Sequence, residues 1–170
     1  MELQLPPYKE YPIVSNERIL LRQIKSEEIK DILEISFYDG KRASTIEEAS
    51  AMLQKIDVDY QDGTSIHWGI FDKLTTILVG TCGYYRGFAD ATGELGCILR
   101  PAYYGKGYMT SALQLAIGFG KEQMGLKKII AITTKHNNPA LHLLNRLSFV
   151  KTQDLMGDDV EYEFIIRKSD

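Results

Sequence analysis

The feature that most constrains the fold is a loop rich in glycine and tyrosine that links a strand pattern to a helical one. The loop follows Pro101 and continues as Tyr104-Gly105-Lys106-Gly107-Tyr108-Met109-Thr110. Glycine at two nearby positions removes side chains where the backbone has to turn, so that several amides can point into one concavity. The helix that follows adds its unpaired amides and the positive end of its dipole. The pattern suits a phosphate or a pyrophosphate, and a plain glycine turn explains the same spacing.

Two familiar phosphate-binding motifs are absent from this loop. The Walker A motif would need Ser or Thr after Lys106, and Gly107 stands there. The dinucleotide fingerprint would need another glycine at the position of Thr110. Lys106 could still add positive charge beside a phosphate group, so the absence of these motifs does not exclude a phosphate site.

The rest of the chain alternates between strand and helix patterns. A strand over Arg18–Gln23 precedes a helix that starts at Ser26, a loop through Gly40 and a second helix with Thr45 and Glu48 as a capping box. Three strands then form an antiparallel meander, and a strand, a helix and a hairpin follow the loop and its helix. These elements are Ile66–Phe71, Ile77–Arg86, Glu94–Leu99, Lys128–Thr134, Pro139–Leu147, Phe149–Leu155 and Val160–Arg167. The order predicts a mixed sheet with helices packed on it.

Size and charge narrow the function classes. The chain has 170 residues, which is the size of one domain, and no apolar run approaches the roughly 20 residues that span a bilayer. The 20 basic and 23 acidic residues give a net charge of −3, whereas proteins that hold long nucleic acid usually carry a basic excess. The N-terminus also lacks the pattern of a signal peptide. We therefore expect a single domain over residues 1–170, located in the cytoplasm, that contacts neither a membrane nor long nucleic acid directly.

The cysteines and histidines do not indicate a metal site. Cys82 and Cys97 lie in strand patterns without CxxC or zinc-ligand spacing, which favours buried, reduced thiols. We expect His67 to be structural and His142 to lie on the surface, while His136 could line the edge of a cleft. The spacing of these residues predicts no metal.

Four stretches in order resemble the GNAT superfamily of acetyl-CoA-dependent N-acetyltransferases, and more narrowly its branch with the ribosomal-protein-alanine acetyltransferases. Glu17–Arg22 resembles that branch's opening strand, and Glu94–Leu99 its central strand. Tyr104–Thr110 resembles the pyrophosphate loop, and Asn137–Phe149 the last helix. Together they cover roughly residues 15 to 167. The resemblance implies an α/β (α+β) fold with a mixed, mostly antiparallel sheet and helices packed on both faces. It also implies an acyltransferase with acetyl-CoA as co-substrate.

The same resemblance implies roles for individual residues. The backbone of Cys97–Leu99 would pair with the pantetheine arm, as an added strand pairs with an open sheet edge. Amides from Tyr104 through Met109 would hold the pyrophosphate, and Asn137 matches the family's asparagine near the pantetheine. The implied cofactor residues are Cys97, Ile98, Leu99, Tyr104, Gly105, Lys106, Gly107, Tyr108, Met109, Thr110 and Asn137.

The chain departs from the family pattern at several positions. Tyr104 stands where the loop usually opens with Arg or Gln, and Met109 where it often closes with Gly or Ala. Ala140 and Ser148 replace a usual Ser and a usual Gly. Leu144 stands where many members carry a tyrosine that protonates the leaving thiolate. The resemblance therefore supports the cofactor site better than the proton chemistry.

Acetyl transfer needs a neutral amine and a group that accepts its proton. At pH 7 a lysine with pKa ~10.4 needs about 4.6 kcal/mol to become neutral, whereas an α-amine with pKa ~7.7–8.0 needs about 1–1.4 kcal/mol. Glu94, which begins the central strand, is the candidate base, although a solvent-facing glutamate at a strand edge has the same pattern. A backbone amide along Cys97–Leu99 could polarise the thioester carbonyl. Tyr103, Tyr104 and Tyr108 are weaker candidates for the acid.

The sequence leaves the identity of the acceptor open. We expect the first helices and the connection near Phe88 to build the acceptor pocket, with Tyr84, Tyr85 and Phe88 either lining it or packing at a strand end. A protein N-terminal amine is the easier acceptor by the pKa argument. The alternatives are a small-molecule acetyltransferase for an antibiotic, a polyamine or an amino acid, and a non-catalytic acyl-CoA sensor. The exposed edge of the final hairpin could support a homodimer.

Overall fold

The computed structural model describes residues 1–167. Within that part the predicted elements appear in the predicted order, except that two 3-10 segments replace the first predicted helix, and three short strands are added. The strands are β1 (Val14–Ser15), β2 (Ile19–Arg22), β3 (Phe37–Tyr38), β4 (Lys41–Arg42), β5 (Ile66–Asp72), β6 (Leu78–Tyr85), β7 (Thr92–Leu99), β8 (Lys128–Thr134), β9 (Phe149–Asp154) and β10 (Asp159–Phe164). The α-helices are α1 (Ile46–Gln61), α2 (Tyr108–Phe119) and α3 (Asn138–Arg146).

Eight of these strands form one sheet in the order β1-β2-β5-β6-β7-β8-β10-β9. Neighbouring strands in it are antiparallel except β7 and β8, which are parallel. β3 and β4 pair with each other in a separate hairpin. The mixed, mostly antiparallel sheet is confirmed, and β5, β6 and β7 form the predicted meander.

The parallel pair β7–β8 is short, and this opens the sheet. The two strands are in register from Thr92 opposite Lys128 to Glu94 opposite Ile130. β7 continues through Leu95–Leu99, paired there only with β6 on its other side within the described residues. Because the remaining edge of β7 is unpaired, its backbone groups are available beside the loop that follows.

The larger apolar core lies between the sheet and α2. Trp68 and Tyr84 are completely buried there, and the Tyr84 hydroxyl donates to the carbonyl of Ala116 in α2 at 2.8 Å. The Trp68 ring packs edge-on against Phe119, with centroids 5.2 Å apart. Leucines of α3 join the same core through Leu144 and its neighbours. Alternation along a strand places every second side chain on this face.

The opposite face of the sheet is covered by α1 and by two short 3-10 segments. These segments span Ser26–Asp31 and Leu33–Ile35, where the sequence predicts one α-helix capped by Ser26. That prediction was wrong. The buried side chains Ile29, Ile32 and Ile35 recur every three residues, which is the period of a 3-10 helix and places all of them on one side.

The capping box predicted from Thr45 and Glu48 forms only in part at the start of α1. The Thr45 hydroxyl accepts from the Glu48 amide at 3.1 Å, as expected for a helix cap. The Glu48 carboxylate accepts from the amide of Ser44 at 2.7 Å, one residue earlier than a standard capping box. Just before this helix, the predicted loop through Gly40 is the turn of the β3–β4 hairpin.

Residues 1–13 lie along the α2 side of the core, which no sequence pattern predicted. The Trp68 indole donates to the carbonyl of Pro12 at 3.0 Å, and the Tyr8 amide donates to the Tyr60 hydroxyl at 3.0 Å. The Tyr11 ring stacks on Tyr60 with centroids 4.6 Å apart. This segment therefore fixes the end of α1 to the sheet. Across residues 1–167, no helix has both the length and the apolar character needed to cross a membrane.

Candidate active site

The glycine loop presents a run of backbone donors at the start of α2. Gly105 and Gly107 have φ of +71° and +81°, a left-handed conformation that favours glycine. The amides of Gly107, Tyr108, Met109 and Thr110 have no protein acceptor within the described residues. By contrast, the Tyr104 amide already donates to the carbonyl of Pro101 at 3.2 Å. The free donors thus follow Tyr104 in the predicted loop.

Tyr108 anchors the loop to the far corner of the sheet. Its hydroxyl donates to the Asp72 carboxylate at 2.6 Å. Asp72 also accepts from the amides of Leu74 and Thr75 at 2.9 and 2.8 Å. These hydrogen bonds, the Tyr108 bond first, lower the pKa of Asp72 to about 2. Because the phenol is engaged with a carboxylate, which raises the pKa of Tyr108, this residue is a poor candidate for the acid.

Arg18 packs against the ring of Tyr108. Its guanidinium lies over the Tyr108 ring, 4.1 Å from the ring centroid. A Cβ atom added at Gly107 would come within 2.9 Å of the Arg18 Nη1 atom. Gly107 is therefore favoured by its positive φ, and a side chain there would also displace the Arg18 guanidinium from its place over the Tyr108 ring.

β7 carries the predicted pantetheine-binding backbone past the mouth of a pocket. In the β6–β7 ladder, Cys97 lies opposite Cys82, Ile98 opposite Thr81 and Leu99 opposite Gly80. Cys97 is half-buried with a free thiol, and its burial raises the pKa of the thiol to about 12, so the sulfur stays protonated. The Ile98 side chain points the other way, into the pocket, and is 37% exposed.

The pocket lies between α1 and the sheet and has a volume of about 810 Å³. Its apolar wall comes from α1, the 3-10 segments and the β3–β4 hairpin. This agrees with the expectation that the first helical segments of the chain build the acceptor pocket. Its polar groups come from these elements and from the sheet, and include Asp39, Asp59, Ser65, His67, Thr81, Tyr85, Arg86 and Glu94. Three carboxylates and one arginine make the pocket acidic.

Glu94 is inside this pocket rather than at a solvent-facing edge. Its side chain is 16% exposed and forms an ion pair with Arg86. Burial raises the pKa of Glu94, and the neighbouring Arg86 opposes that rise. A carboxylate with a raised pKa beside a cavity is suited to accept a proton.

Tyr85 and His67 form a second polar pair on the same wall. The His67 Nδ1 atom and the Tyr85 hydroxyl are 2.6 Å apart. Burial lowers the pKa of His67 to about 4 and raises the pKa of Tyr85 well above its usual range, so both are neutral. Of the predicted aromatic set, Tyr85 lines the pocket, whereas Tyr84 and Phe88 are buried in the core. His67, expected to be structural, also lines the pocket.

The other residues singled out from the sequence lie in α3 or just before it. The Asn137 side chain accepts from the Ala140 amide at 3.3 Å, and so caps the helix. Leu144 is buried and packs in the core, consistent with a residue that donates no proton. His136 is 73% exposed and lies 3.7 Å from Asp158, away from the pocket wall. Among residues 1–167, no three His, Cys, Asp or Glu side chains lie close enough to hold a metal ion.

Comparisons with known proteins point to one family. A family model described as an acetyltransferase (GNAT) domain matches residues 18–150. The chain is 28% identical over 149 residues to the uncharacterized N-acetyltransferase YoaA of Bacillus subtilis (strain 168), across 83% of this chain and 84% of that protein. It is 31% identical over 144 residues to the uncharacterized N-acetyltransferase p20 of Bacillus licheniformis, across 79% of this chain and 80% of that protein.

Solved structures share the fold. The ribosomal L7/L12 alpha-N-protein acetyltransferase RimL, solved in complex with coenzyme A, matches with a TM-score of 0.78. The match covers 91% of this chain and 98% of that one, at 17% sequence identity. At this level of identity the similarity concerns the fold, including the mixed sheet with helices on both faces.

Proposed function

The chain belongs to the GNAT acetyltransferase family, and we propose that its glycine loop binds acetyl-CoA while the pocket around Glu94 receives a primary amine. The family match and the two related N-acetyltransferases make the chain an N-acetyltransferase that uses acetyl-CoA. The observation that carries the placement is the run of unpaired amides over Gly107–Thr110, described above, beside the open edge of β7. The bound coenzyme A of the structural relative supports this choice of co-substrate.

Each part of acetyl-CoA has a proposed partner. The pyrophosphate accepts hydrogen bonds from loop amides, which act with the dipole of α2. The proposed residues are Gly105, Lys106, Gly107, Tyr108, Met109 and Thr110, with Tyr104 shaping the start of the loop. The pantetheine arm runs along Cys97–Leu99 and pairs with the open edge of β7. Asn137, at the start of α3, is the remaining residue proposed to lie near the pantetheine, because it matches the family's asparagine there.

The proposed chemistry is attack of a neutral amine on the thioester. Glu94 accepts a proton from the amine, the nitrogen bonds to the acetyl carbon, and the carbon–sulfur bond breaks. A backbone amide of β7 polarises the carbonyl oxygen. Coenzyme A leaves as a thiolate whose conjugate thiol has a pKa of ~8.5, so that departure needs little help from an acid. The reaction therefore does not depend on a tyrosine at Leu144.

The acceptor we favour is a protein N-terminal α-amine, because its low pKa leaves more of it neutral than of a lysine. A small polyamine is the second candidate, favoured by the acidic pocket. Asp39 and Asp59 line it together with Glu94, so that a second cationic nitrogen would meet a carboxylate there. A non-catalytic acyl-CoA sensor would bind acetyl-CoA and release no thiol.

A thiol-release assay with acetyl-CoA and a panel of amines tests the proposal. The panel contains peptides with free N-termini, spermidine, and amino-acid and antibiotic amines. We expect release with at least one of them, and a fall of about a hundredfold or more in turnover for Glu94→Gln with little change in acetyl-CoA affinity, because the amide cannot accept the proton. The matched control is Glu47→Gln, an exposed glutamate on α1. Equal turnover in Glu94→Gln would remove Glu94 from the mechanism, and binding without release across the panel would support the sensor.

The remaining expectations concern the whole protein. We propose that residues 1–170 form a single acetyltransferase domain, of which residues 168–170 lie outside the described part. The cytoplasmic location and the lack of direct contact with long nucleic acid or a membrane remain predictions. The proposed homodimer would use the edge strand β9, where Val150 is half exposed.

A further inference from the structure

Glu161 is a buried carboxylate that the proposed mechanism leaves without a role. The residue lies in β10 and is 8% exposed, and among residues 1–167 only one other carboxylate, that of Asp72, is as buried. Asp72 anchors Tyr108, as described above. Within the same residues Glu161 forms no ion pair. A buried charge without a partner of opposite sign is unfavourable unless hydrogen bonds compensate it.

A β-bulge supplies those hydrogen bonds. The β9–β10 ladder shifts register between Glu161 and Tyr162, which leaves Thr152 as an extra residue in β9. The Thr152 hydroxyl donates to the Glu161 Oε1 atom at 2.8 Å, and the Gln153 side-chain amide donates to Oε2 at 3.2 Å. A carboxylate accepts both hydrogen bonds without a proton of its own. The bulge therefore holds a negative charge at a fixed position.

Strand register places Glu161 on the same face of the sheet as Glu94. Glu94 in β7 is opposite Ile130 in β8, and Ile130 is opposite Glu163 in β10, so these side chains leave one face. Glu161 is two residues from Glu163 and shares that face, opposite Ile132, which lines the pocket. Only one strand, β8, thus separates the two carboxylates, where the opening between β7 and β8 begins.

The other charges on the β9–β10 side are paired with each other. Glu163 pairs with Lys128 of β8 at 3.4 Å, and its side chain is 32% exposed. Lys151 and Asp154 in β9 pair with each other at 2.8 Å and are opposite core residues of β10. Glu161 therefore carries the buried charge on this side that no cation balances.

Glu94 has charged neighbours on its other sides as well. Arg86 pairs with it from the end of β6, but the Arg86 side chain is 73% exposed, so water and salt screen its charge. Asp39 and Asp59 line the pocket from the hairpin and from α1, and the tyrosine–histidine pair described above is neutral. Burial raises the pKa of Glu94 most, Arg86 opposes that rise, and the charge of Glu161 adds to it.

We propose that Glu161 is a positioning residue that strengthens Glu94 as the base, because its fixed negative charge offsets the positive charge of Arg86. The inference rests on the proposed function. When the amine attacks, its proton passes to Glu94, which becomes neutral and no longer repels Glu161. Proton uptake is therefore more favourable beside Glu161 than without it. Glu161 acts through Glu94 and does not touch the amine.

The pH profile of kcat/KM in Glu161→Gln tests this role. Glutamine keeps the size of the side chain and one oxygen, and removes the charge. We expect the acid limb to move to lower pH by about 0.5–1 unit, and kcat to fall about two- to fivefold, because Glu94 becomes a weaker base. Acetyl-CoA affinity should stay within about twofold, since residue 161 is not on the edge of β7. An acid limb at the wild-type position would overturn the inference.

Glu163→Gln is the matched control, on the same strand and the same face. Because Glu163 is paired with Lys128, its loss should leave the acid limb close to that of the wild type. Glu161→Asp keeps the charge and should also keep the limb. An equal shift in Glu163→Gln and Glu161→Gln would show a general effect of surface charge and would contradict a specific role of Glu161.

Two further variants separate charge from structure. Glu161→Met is a second neutral side chain of similar length, and its acid limb should move in the same direction as that of Glu161→Gln. In the double variant Arg86→Ala/Glu161→Gln the limb should return towards the wild-type position, because the two lost charges act in opposite directions. A limb that stays where Arg86→Ala alone puts it would count against the inference. Thermal unfolding confirms that each variant is folded.

Carboxyl ¹³C NMR of the free protein gives a readout that needs no acceptor. The Glu94 signal is assigned by its loss in Glu94→Gln, and its titration midpoint should fall in Glu161→Gln by about the same 0.5–1 unit. The midpoint should not change in Glu163→Gln. A Glu94 midpoint that is equal in the wild type and in Glu161→Gln would refute the coupling between the two carboxylates.

Failure of the proposed function has a different signature. In that case no amine in the panel is acetylated by the wild type, and the inference fails with it. If transfer occurs and neither the acid limb nor the Glu94 midpoint responds to Glu161→Gln, the proposed function stands and the role of Glu161 is wrong.

Discussion

Arg86 controls the charge state of the proposed base. It is the cation paired with Glu94, and its charge opposes the rise in the pKa of Glu94 that burial causes. Arg86→Ala removes that charge, so the pKa of Glu94 should rise further. Since the base works as a carboxylate, the acid limb of kcat/KM should move to higher pH, measured over about pH 5 to 9.

Arg86→Lys provides the control for this prediction. It keeps the positive charge and should leave the acid limb close to that of the wild type. An acid limb that does not move in Arg86→Ala would mean that the proton is accepted by another group.

Asp72 is the residue that should govern acid stability around the loop. Its folded-state pKa of about 2 is below the ordinary value of 3.8, so its contribution is complete above pH 3.8 and is lost as the pH falls towards 2. Asp72→Asn should lower the free energy of unfolding by about 1–3 kcal/mol at pH 7, because the bond to Tyr108 loses its charged acceptor. Denaturant unfolding at several pH values between neutral and acid measures both effects.

In Asp72→Asn the free energy of unfolding should also fall less steeply than in the wild type as the pH drops from 3.8 towards 2. Asp57→Asn, at an exposed position on α1, is the matched control and should change little. A variant that is as stable as the wild type at pH 7 would contradict the role of Asp72 as an anchor.

The sequence pointed to some residues of the candidate site and missed others for a physical reason. Glu94 could be proposed because the stretch Glu94–Leu99 resembles the family's central strand, where a carboxylate often stands beside the acceptor. The Tyr85–His67 pair joins residues 18 positions apart through the register of two strands. Strand alternation predicts that His67 and Trp68 lie on opposite faces of the sheet. Only the register of β5 and β6 shows that His67 contacts Tyr85.

At the level of elements, the glycine loop and the start of α2 form the most specific unit. Gly107→Ala introduces a side chain at positive φ and against the Arg18 guanidinium. We expect the amides that follow to shift and acetyl-CoA affinity to fall at least tenfold, while the rest of the fold is retained. Calorimetric titration with acetyl-CoA, together with circular dichroism, measures both quantities.

Gly40→Ala is the control for backbone strain alone. Gly40 also has a positive φ, +74°, and a Cβ there would meet no other atom within 4 Å. This variant should lose a similar amount of stability, about 1–2 kcal/mol, without a change in acetyl-CoA affinity. Equal affinities for the wild type and Gly107→Ala would contradict the assignment of this loop to the pyrophosphate.

The elements that the sequence misjudged are those without a helical or strand period. The segment from Ser26 to Ile35 reads as helical because isoleucines are close together, but their spacing of three residues corresponds to 3-10 geometry. Strands of two residues, such as β1 and β3, are too short to show alternation. By contrast, β8 has the predicted bounds, since a continuous apolar run defines it.

At the scale of the whole molecule, the sheet order follows from the element order only in part. The meander β5–β6–β7 could be predicted because its three strand patterns follow one another in the sequence with only short connections between them. The parallel pairing of β7 with β8, and its end at Glu94 and Ile130, depend on how α2 packs across the sheet. The N-terminal segment has no secondary structure before β1, so its contacts with Tyr60 and Trp68 could not be predicted from periodicity.

This opening between β7 and β8 joins the two proposed half-sites. The glycine loop lies beyond one end of β7 and Glu94 lies near its other end. A co-substrate that pairs with the free edge between them would carry its thioester from the loop to the acceptor pocket. The whole account therefore depends on acetyl-CoA binding at this edge.

Calorimetric titration of the full chain with acetyl-CoA tests that claim most directly. The account predicts saturable binding, one acetyl-CoA per chain, at concentrations below about 1 mM, since the loop amides and the β7 edge supply a preformed site. No binding at millimolar acetyl-CoA, with a protein that circular dichroism shows to be folded, would contradict it.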